Sequence, residues 1–206
     1  MYDQRVTNGN EFGVTAFVLA GGKSSRMGSD KAFLQLGEET LLFRTLRIAG
    51  AVVGEVRIVG EAKKFAAFGQ VVEDVYRDRG PLGGIHAALA SSATQWNLML
   101  AVDLPFVGPE FLRYLLLRAR ESGATVTVPR AGGGLQPLCA VYHRKFAEVA
   151  EQSLRAGKNK IDVLFTKVVT RVIEEDELAR AGFSVEMFRN LNTPEELEEA
   201  KSLRLG

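Results

Sequence analysis

Gly21 and Gly22 stand at the end of an apolar run, "AFVLAGG", and Lys23, Arg26 and Lys31 follow close behind. Two glycines let a backbone bend sharply and approach a ligand without a Cβ in the way. Successive N–H groups in such a turn form a nest for an anion, and three nearby cations can meet phosphate oxygens. A loop of this composition suits a nucleoside triphosphate. It is neither a Walker A loop nor the G-x-G-x-x-G of a dinucleotide site. The competing explanation is an ordinary strand-to-helix turn with solvated charges.

Asp103 ends a second apolar run, "LMLAVDLPF". A carboxylate there is costly unless it is paired or coordinated. One carboxylate together with substrate phosphates suits Mg²⁺, whereas a helix N-cap is the plain alternative. Glu73, Asp74 and Asp78 follow a third short run, and one of them could accept hydrogen bonds from a base or ribose. His86, His143 and Cys139 lack metal-ligand spacing, and no Ser-His-Asp arrangement is visible. The chemistry expected is therefore electrostatic handling of phosphates, without a nucleophilic side chain.

The elements that must position these groups follow from hydrophobic pattern. "TAFVLA" (15–20) is apolar without alternation, as in a strand covered on both faces. "KAFLQLGEETLLFRTLRIAG" contains a helix from about Thr40, with Leu41, Leu42, Thr45, Leu46 and Ala49 on one face. "EVRIVG" (55–60) and "QVVED" (70–74) are short strands, and "GPLGGIHAALASS" (80–92) is a glycine-rich turn entering a helix. "WNLMLAVDLPFV" (96–107) is another buried strand, followed by a helix with Pro109 at its first position. "ATVTVP" (124–129) and "PLCAVYH" (137–143) are strands joined by "RAGGGLQ", expected as a mobile loop. A helix from Arg144 to Gly157, a strand at 168–174, and a final helix capped by Thr193 with Pro194 and Glu196 complete the pattern.

This alternation argues for an α/β fold in one domain, 14–206, after a lead-in of residues 1–13. Its N-terminal half is a parallel βαβ unit, and in such sheets ligands bind beyond the carboxyl ends of the strands. The glycine loop and Asp103 both fall there. With a formal net charge of +1, no global field favours nucleic acid or a membrane surface. The single cysteine excludes an intrachain disulfide framework. No apolar run approaches the ~18 residues that span a bilayer, and the polar start lacks a secretory core, so cytoplasm is the expected location.

Taken in order, "VLAGGKSSRMGSDKAFLQLGEETLL", "VVEDVYRDRGPLGGIHAAL", "LAVDLPFV", "QPLCAVYH" and "NLNTPEELEEA" resemble the molybdenum cofactor guanylyltransferases of the MobA type, from about Val18 to Ala200. The resemblance implies a three-layer α/β/α Rossmann-like nucleotidyltransferase sandwich with a mostly parallel sheet. It implies GTP and Mg²⁺, and transfer of GMP to the phosphate of molybdenum-molybdopterin with release of pyrophosphate. By matching positions, Leu19, Ala20, Gly21 and Gly22 contact GTP. Arg26 and Lys31 lie at its phosphates, Asp74 contacts the nucleotide and Asp103 holds the metal. Gln136, Asn190 and Asn192 face the pterin. The same resemblance leaves room for an adaptor GTPase and for molybdoenzymes or their chaperones as partners. Gly60 departs from relatives that carry a nucleotide-contacting asparagine after the second core strand.

Three other readings stay open on sequence alone. One is a CTP-dependent molybdopterin cytidylyltransferase, and another is an enzyme acting on a sugar phosphate or a phospholactate. The third is a nucleotide-binding regulatory module without catalysis, for which joint presence of Lys31 and Asp103 is unnecessary.

Overall fold

A computed structural model describes residues 13–21, 30–76, 78–191 and 196. Residues 1–12 of the lead-in, the loop residues Gly22, Lys23 and Arg26, and the caps and pterin-side residue expected at Asn192, Thr193 and Pro194 lie outside the described residues.

In chain order the elements are β1 (Val14–Leu19), β2 (Gln35–Leu36), β3 (Glu39–Thr40), α1 (Leu41–Gly50), β4 (Glu55–Val59), α2 (Ala62–Phe65), β5 (Val71–Val72), α3 (Pro81–Ser91) and β6 (Trp96–Ala101). There follow α4 (Pro109–Ser122), β7 (Val126–Ala131), β8 (Gly134–Leu135), β9 (Cys139–His143), α5 (Phe146–Arg155), α6 (Asp162–Phe165), β10 (Thr170–Ile173) and α7 (Glu175–Arg180). Single 3₁₀ turns occupy Lys31–Phe33 and Val185–Phe188.

The main sheet runs β10-β7-β9-β6-β1-β4-β5, with β8 turned back onto β7. It is parallel except for β9, which lies antiparallel between β6 and β7. β1 sits inside, and its lack of alternation has a direct cause. Ala16 and Val18 join one core with Leu42 and Ile48 of α1 and Leu112 and Leu115 of α4. Phe17 joins the other with Leu82 and Ile85 of α3 and Phe146 and Leu154 of α5. Each face of the sheet is thus covered by helices, giving the three-layer sandwich. Among the described residues no helix is long and apolar enough to cross a membrane.

Register brings three strand ends level. Leu19 pairs with Val59 on one side and Ala101 on the other. The chain moves outward from β1 to β4 and β5, then returns to lay β6 on the opposite side of β1. That reversal opens a crevice between the carboxyl ends of β1 and β6, where open α/β sheets take ligands.

Some local expectations are corrected. Thr40 caps α1 as expected, accepting from Phe43 N at 3.2 Å, but the buried face takes Ile48 where Leu46 was expected and leaves Leu46 half-buried. "RAGGGLQ" is a tight hairpin instead of an open loop. Gly132 and Gly133, at φ +60° and +76°, supply the positive φ values that let β8 fold back onto β7. Pattern analysis also missed the β2–β3 hairpin, α2, α6 and α7, which are too short to show a period.

Candidate functional site

The backbone leaves β1 tied to its neighbour, since Ala20 N and Gly21 N both donate to the Val59 carbonyl, at 3.0 and 3.1 Å. These two N–H groups are therefore engaged within the sheet. Position 60 explains its own departure from relatives. A Cβ there would lie 2.7 Å from the Phe65 ring, so that ring fills the space a side chain would need.

Lys31 is delivered by a short, well-pinned turn. Asp30 Oδ1 accepts from Ala32 N at 3.2 Å, and Asp30 Oδ2 meets Lys64 Nζ at 3.3 Å. Ala32 is fully buried. Phe33 stacks on Phe65 with ring centroids 5.7 Å apart. Asp30 is a positioning residue that sequence reasoning missed. The signal was present, since a carboxylate two residues before a buried small residue commonly bonds that residue's N–H.

Asp103 lies two residues past β6, in the turn rather than on the strand itself. Val102 N donates to the Leu19 carbonyl at 3.2 Å, which ties this turn to the end of β1. There Lys31 Nζ lies 3.4 Å from Asp103 Oδ2, with side chains 20% and 24% exposed. Two groups 72 residues apart in sequence thus meet at the crevice. Leu191 N donates to the Asp103 carbonyl at 3.1 Å, so the exposed Asn190 comes to the same rim. Gln136 is there as well, because β9 starts where β6 ends: Ala101 N donates to the Leu138 carbonyl at 2.8 Å. The Gln136 amide nitrogen is engaged with the Ala131 carbonyl at 3.1 Å, leaving its oxygen as the group that can face a substrate.

Structure separates the three acidic residues after β5. Glu73 accepts from Ala62 N at 2.8 Å and so serves the start of α2. Asp78 is exposed, at φ +60°. Asp74 is half-buried over the first turns of α3. A Cβ on Gly83 would lie 3.3 Å from its Oδ2, and one on Gly84 3.5 Å from its Oδ1. The consecutive glycines are the seat of this carboxylate, which accounts for two poor helix formers in one helix. Asp74 Oδ1 is buried with no hydrogen-bond partner, and burial raises the carboxyl pKa above its ordinary value. A buried acceptor without a partner is unusual in a folded protein and marks this carboxylate as a candidate functional group.

A stability consequence follows from that burial. The folded pKa of Asp74 lies above its unfolded value, so the native state binds the extra proton between the two values. Stability then falls as pH rises through that window, and the cost is complete above it. Asp74→Asn is expected to raise the unfolding midpoint of the ligand-free protein at about pH 7, with the gain vanishing toward about pH 3. Thermal unfolding followed by circular dichroism across that range checks it, and an equal shift at both ends would contradict the assignment.

The remaining titratable candidates are structural. His86 is buried on α3 and packs edge-on against Tyr76 at 5.2 Å, and burial lowers its pKa. His143 closes β9 at the opposite rim, where its Nδ1 accepts from Lys145 N at 3.0 Å. Cys139 is fully buried with its thiol pushed far above the ordinary range, which rules out a reactive thiolate.

Among the described residues no group of three or more His, Cys, Asp and Glu side chains could cage a metal. A single part-exposed carboxylate such as Asp103 still fits Mg²⁺, which keeps waters and can complete its shell with substrate phosphates.

Comparison with known proteins identifies the family. Residues 16–172 match the model of the MobA-like NTP transferase domain. A protein of Pelotomaculum thermopropionicum named as a probable molybdenum cofactor guanylyltransferase is 40% identical over 91% of each chain. The molybdenum cofactor guanylyltransferase of Desulfosudis oleivorans is 34% identical, over 92% of this chain and 95% of its own. The crystal structure of molybdopterin-guanine dinucleotide biosynthesis protein A from Archaeoglobus fulgidus superposes with a TM-score of 0.81 at 26% identity, covering 92% of this chain and 97% of that one. A cytidylyltransferase from Thermus thermophilus, at 18% identity and a TM-score of 0.66, shares the fold. The chain thus belongs to the MobA-like NTP transferase family.

Proposed function

We propose that this chain transfers GMP from GTP to the phosphate of molybdenum-molybdopterin, releasing pyrophosphate, through one catalytic domain spanning 14–206. The observation that carries the reading is the meeting of Lys31 and Asp103 at the β1/β6 crevice, in a chain 40% identical to a probable guanylyltransferase along almost its full length.

An oxygen of the pterin phosphate attacks the α-phosphorus of GTP. The bond from that phosphorus to the oxygen bridging toward the β-phosphorus breaks, and pyrophosphate carries away the electron pair. The attacking phosphate arrives already ionised, so no side chain need remove a proton. This fits the described residues of the rim, among which no nucleophilic Ser, Cys or His stands. The difficulty is bringing two polyanions together, and the solution is positioning plus charge neutralisation.

In this scheme Leu19, Ala20, Gly21 and Gly22 contact GTP. Arg26 and Lys31 neutralise its phosphates. Asp103 would hold Mg²⁺, which supplies a Lewis acid for the phosphoryl oxygens. The Asp74 carboxylate contacts the nucleotide, accepting a hydrogen bond from it. Gln136, Asn190 and Asn192 orient the pterin substrate. On the same reading the product passes to molybdoenzymes or their chaperones, with an adaptor GTPase as a further candidate partner.

Calorimetric titration with GTP, CTP and ATP, each with and without Mg²⁺, tests the assignment. GTP is expected to bind at least about tenfold more tightly than the others, a difference of about 1.4 kcal/mol, and to gain affinity from Mg²⁺. A preference for CTP would overturn the guanylyl assignment and leave the fold intact.

A further inference from the structure

We propose that Tyr76 is a positioning residue for nucleotide binding, clamping the loop that carries Asp74 onto α3 and α5. The inference rests on the role proposed above for Asp74. Between β5 and α3 the chain is largely at the surface, with Glu73, Val75, Asp78 and Arg79 exposed. Tyr76 turns inward, as Asp74 does, and packs against the core beneath α3 and α5.

Its contacts run to both helices. The ring lies edge-on to His86 of α3, centroids 5.2 Å apart and planes at 74°. The hydroxyl lies 3.3 Å from Glu151 Oε1, to which it donates, and accepts from Arg155 Nε at 3.3 Å. Arg155 and Glu151 of α5 are themselves paired at 2.7 Å. The Tyr76 carbonyl closes onto Gly83, where a Cβ would lie only 2.9 Å away.

Gly83 is also part of the seat of Asp74, so Tyr76 and Asp74 rest on one backbone surface. Fixing Tyr76 fixes how closely this loop lies over α3. A carboxylate with one buried, unpartnered oxygen would otherwise turn to water, because desolvation without a partner is unfavourable. The clamp holds that oxygen in place before the ligand arrives, and preorganisation of this kind shows in ligand affinity.

The test uses the full chain and four variants: Tyr76→Ala, Tyr76→Phe, Arg155→Ala and Asp74→Asn. GTP affinity is measured by calorimetry with Mg²⁺, alongside KM for each substrate, kcat and the unfolding midpoint. Tyr76→Ala is expected to weaken GTP binding about tenfold and raise KM for GTP in parallel, as the loss of a clamp of two or three contacts allows. The KM of the pterin substrate and kcat stay within about twofold. Tyr76→Phe keeps the ring and should lose only about two- to threefold. Arg155→Ala should lose no more than Tyr76→Phe, since it removes one of the two hydroxyl contacts to α5 and leaves the one to Glu151.

Wild-type GTP affinity in Tyr76→Ala, with affinity lost in Asp74→Asn, overturns the positioning role alone. Unchanged affinity in both overturns the assignment of Asp74, and this inference with it. A lower midpoint with both KM values raised together marks Tyr76 as merely structural and also overturns it. Should Tyr76→Ala not fold, Tyr76→Phe and Arg155→Ala still test the clamp, and wild-type GTP affinity in both of them overturns it.

Discussion

Replacing Asp103 with asparagine is expected to lower kcat by about 10²–10³-fold, the scale on which enzymes lose rate when one electrostatic contact to the reacting group is removed. The substitution keeps the shape of the side chain and removes its charge. Its backbone role survives, because the Asp103 carbonyl still accepts from Leu191 N and the fold around β6 depends on that contact instead of the carboxylate. The loss should therefore appear in turnover and in the benefit GTP binding draws from Mg²⁺, while the unfolding midpoint stays near that of the parent. Steady-state kinetics over a Mg²⁺ titration, with calorimetry beside it, separates the two effects. Near-normal turnover in Asp103→Asn at ordinary Mg²⁺ would remove the metal assignment.

Lys31→Ala is expected to cost about 10²-fold in kcat/KM for GTP. In the free protein Lys31 meets Asp103 at 3.4 Å with both side chains part-exposed, and such a pair contributes roughly 0–1 kcal/mol to stability. Function should thus fall far more than stability. Lys31→Arg should restore little, because the turn at Lys31–Phe33 is fixed by Asp30 and by the Phe33–Phe65 stack, and a planar guanidinium does not replace a compact ammonium at a set distance. The double variant with Asp103→Asn should lose less than the product of the single losses, since in the proposed reaction the two groups act on the same phosphates. Independent, fully multiplicative losses would show that they serve different parts of the reaction.

The sequence was informative wherever physics acts locally. β1 could be recognised from "TAFVLA" because a strand covered on both faces needs apolar residues at every position. Thr40 and Pro109 marked helix starts because unpaired N–H groups must be capped or absent there. The short pieces escaped for the same kind of reason: α2, with four residues, completes barely one turn and shows no period. "RAGGGLQ" looked open because glycine permits a mobile loop and a tight hairpin alike, and only the pairing of Arg130 with Leu135 chooses between them.

Residue types and order alone determined the α/β class, the glycine loop at a strand end, and the separate candidacy of Lys31, Asp74 and Asp103. Composition sets which chemistry is possible, and hydrophobic period sets which element carries it. Tertiary structure alone decided which candidates meet. Strand register levels the ends of β1, β4 and β6, and the return of the chain across β1 sets Lys31 against Asp103. The packing of α3 buries one oxygen of Asp74 and leaves Glu73 to cap α2, although the two are neighbours in sequence. These are long-range outcomes of how sheets pair and helices pack, and no local pattern encodes them.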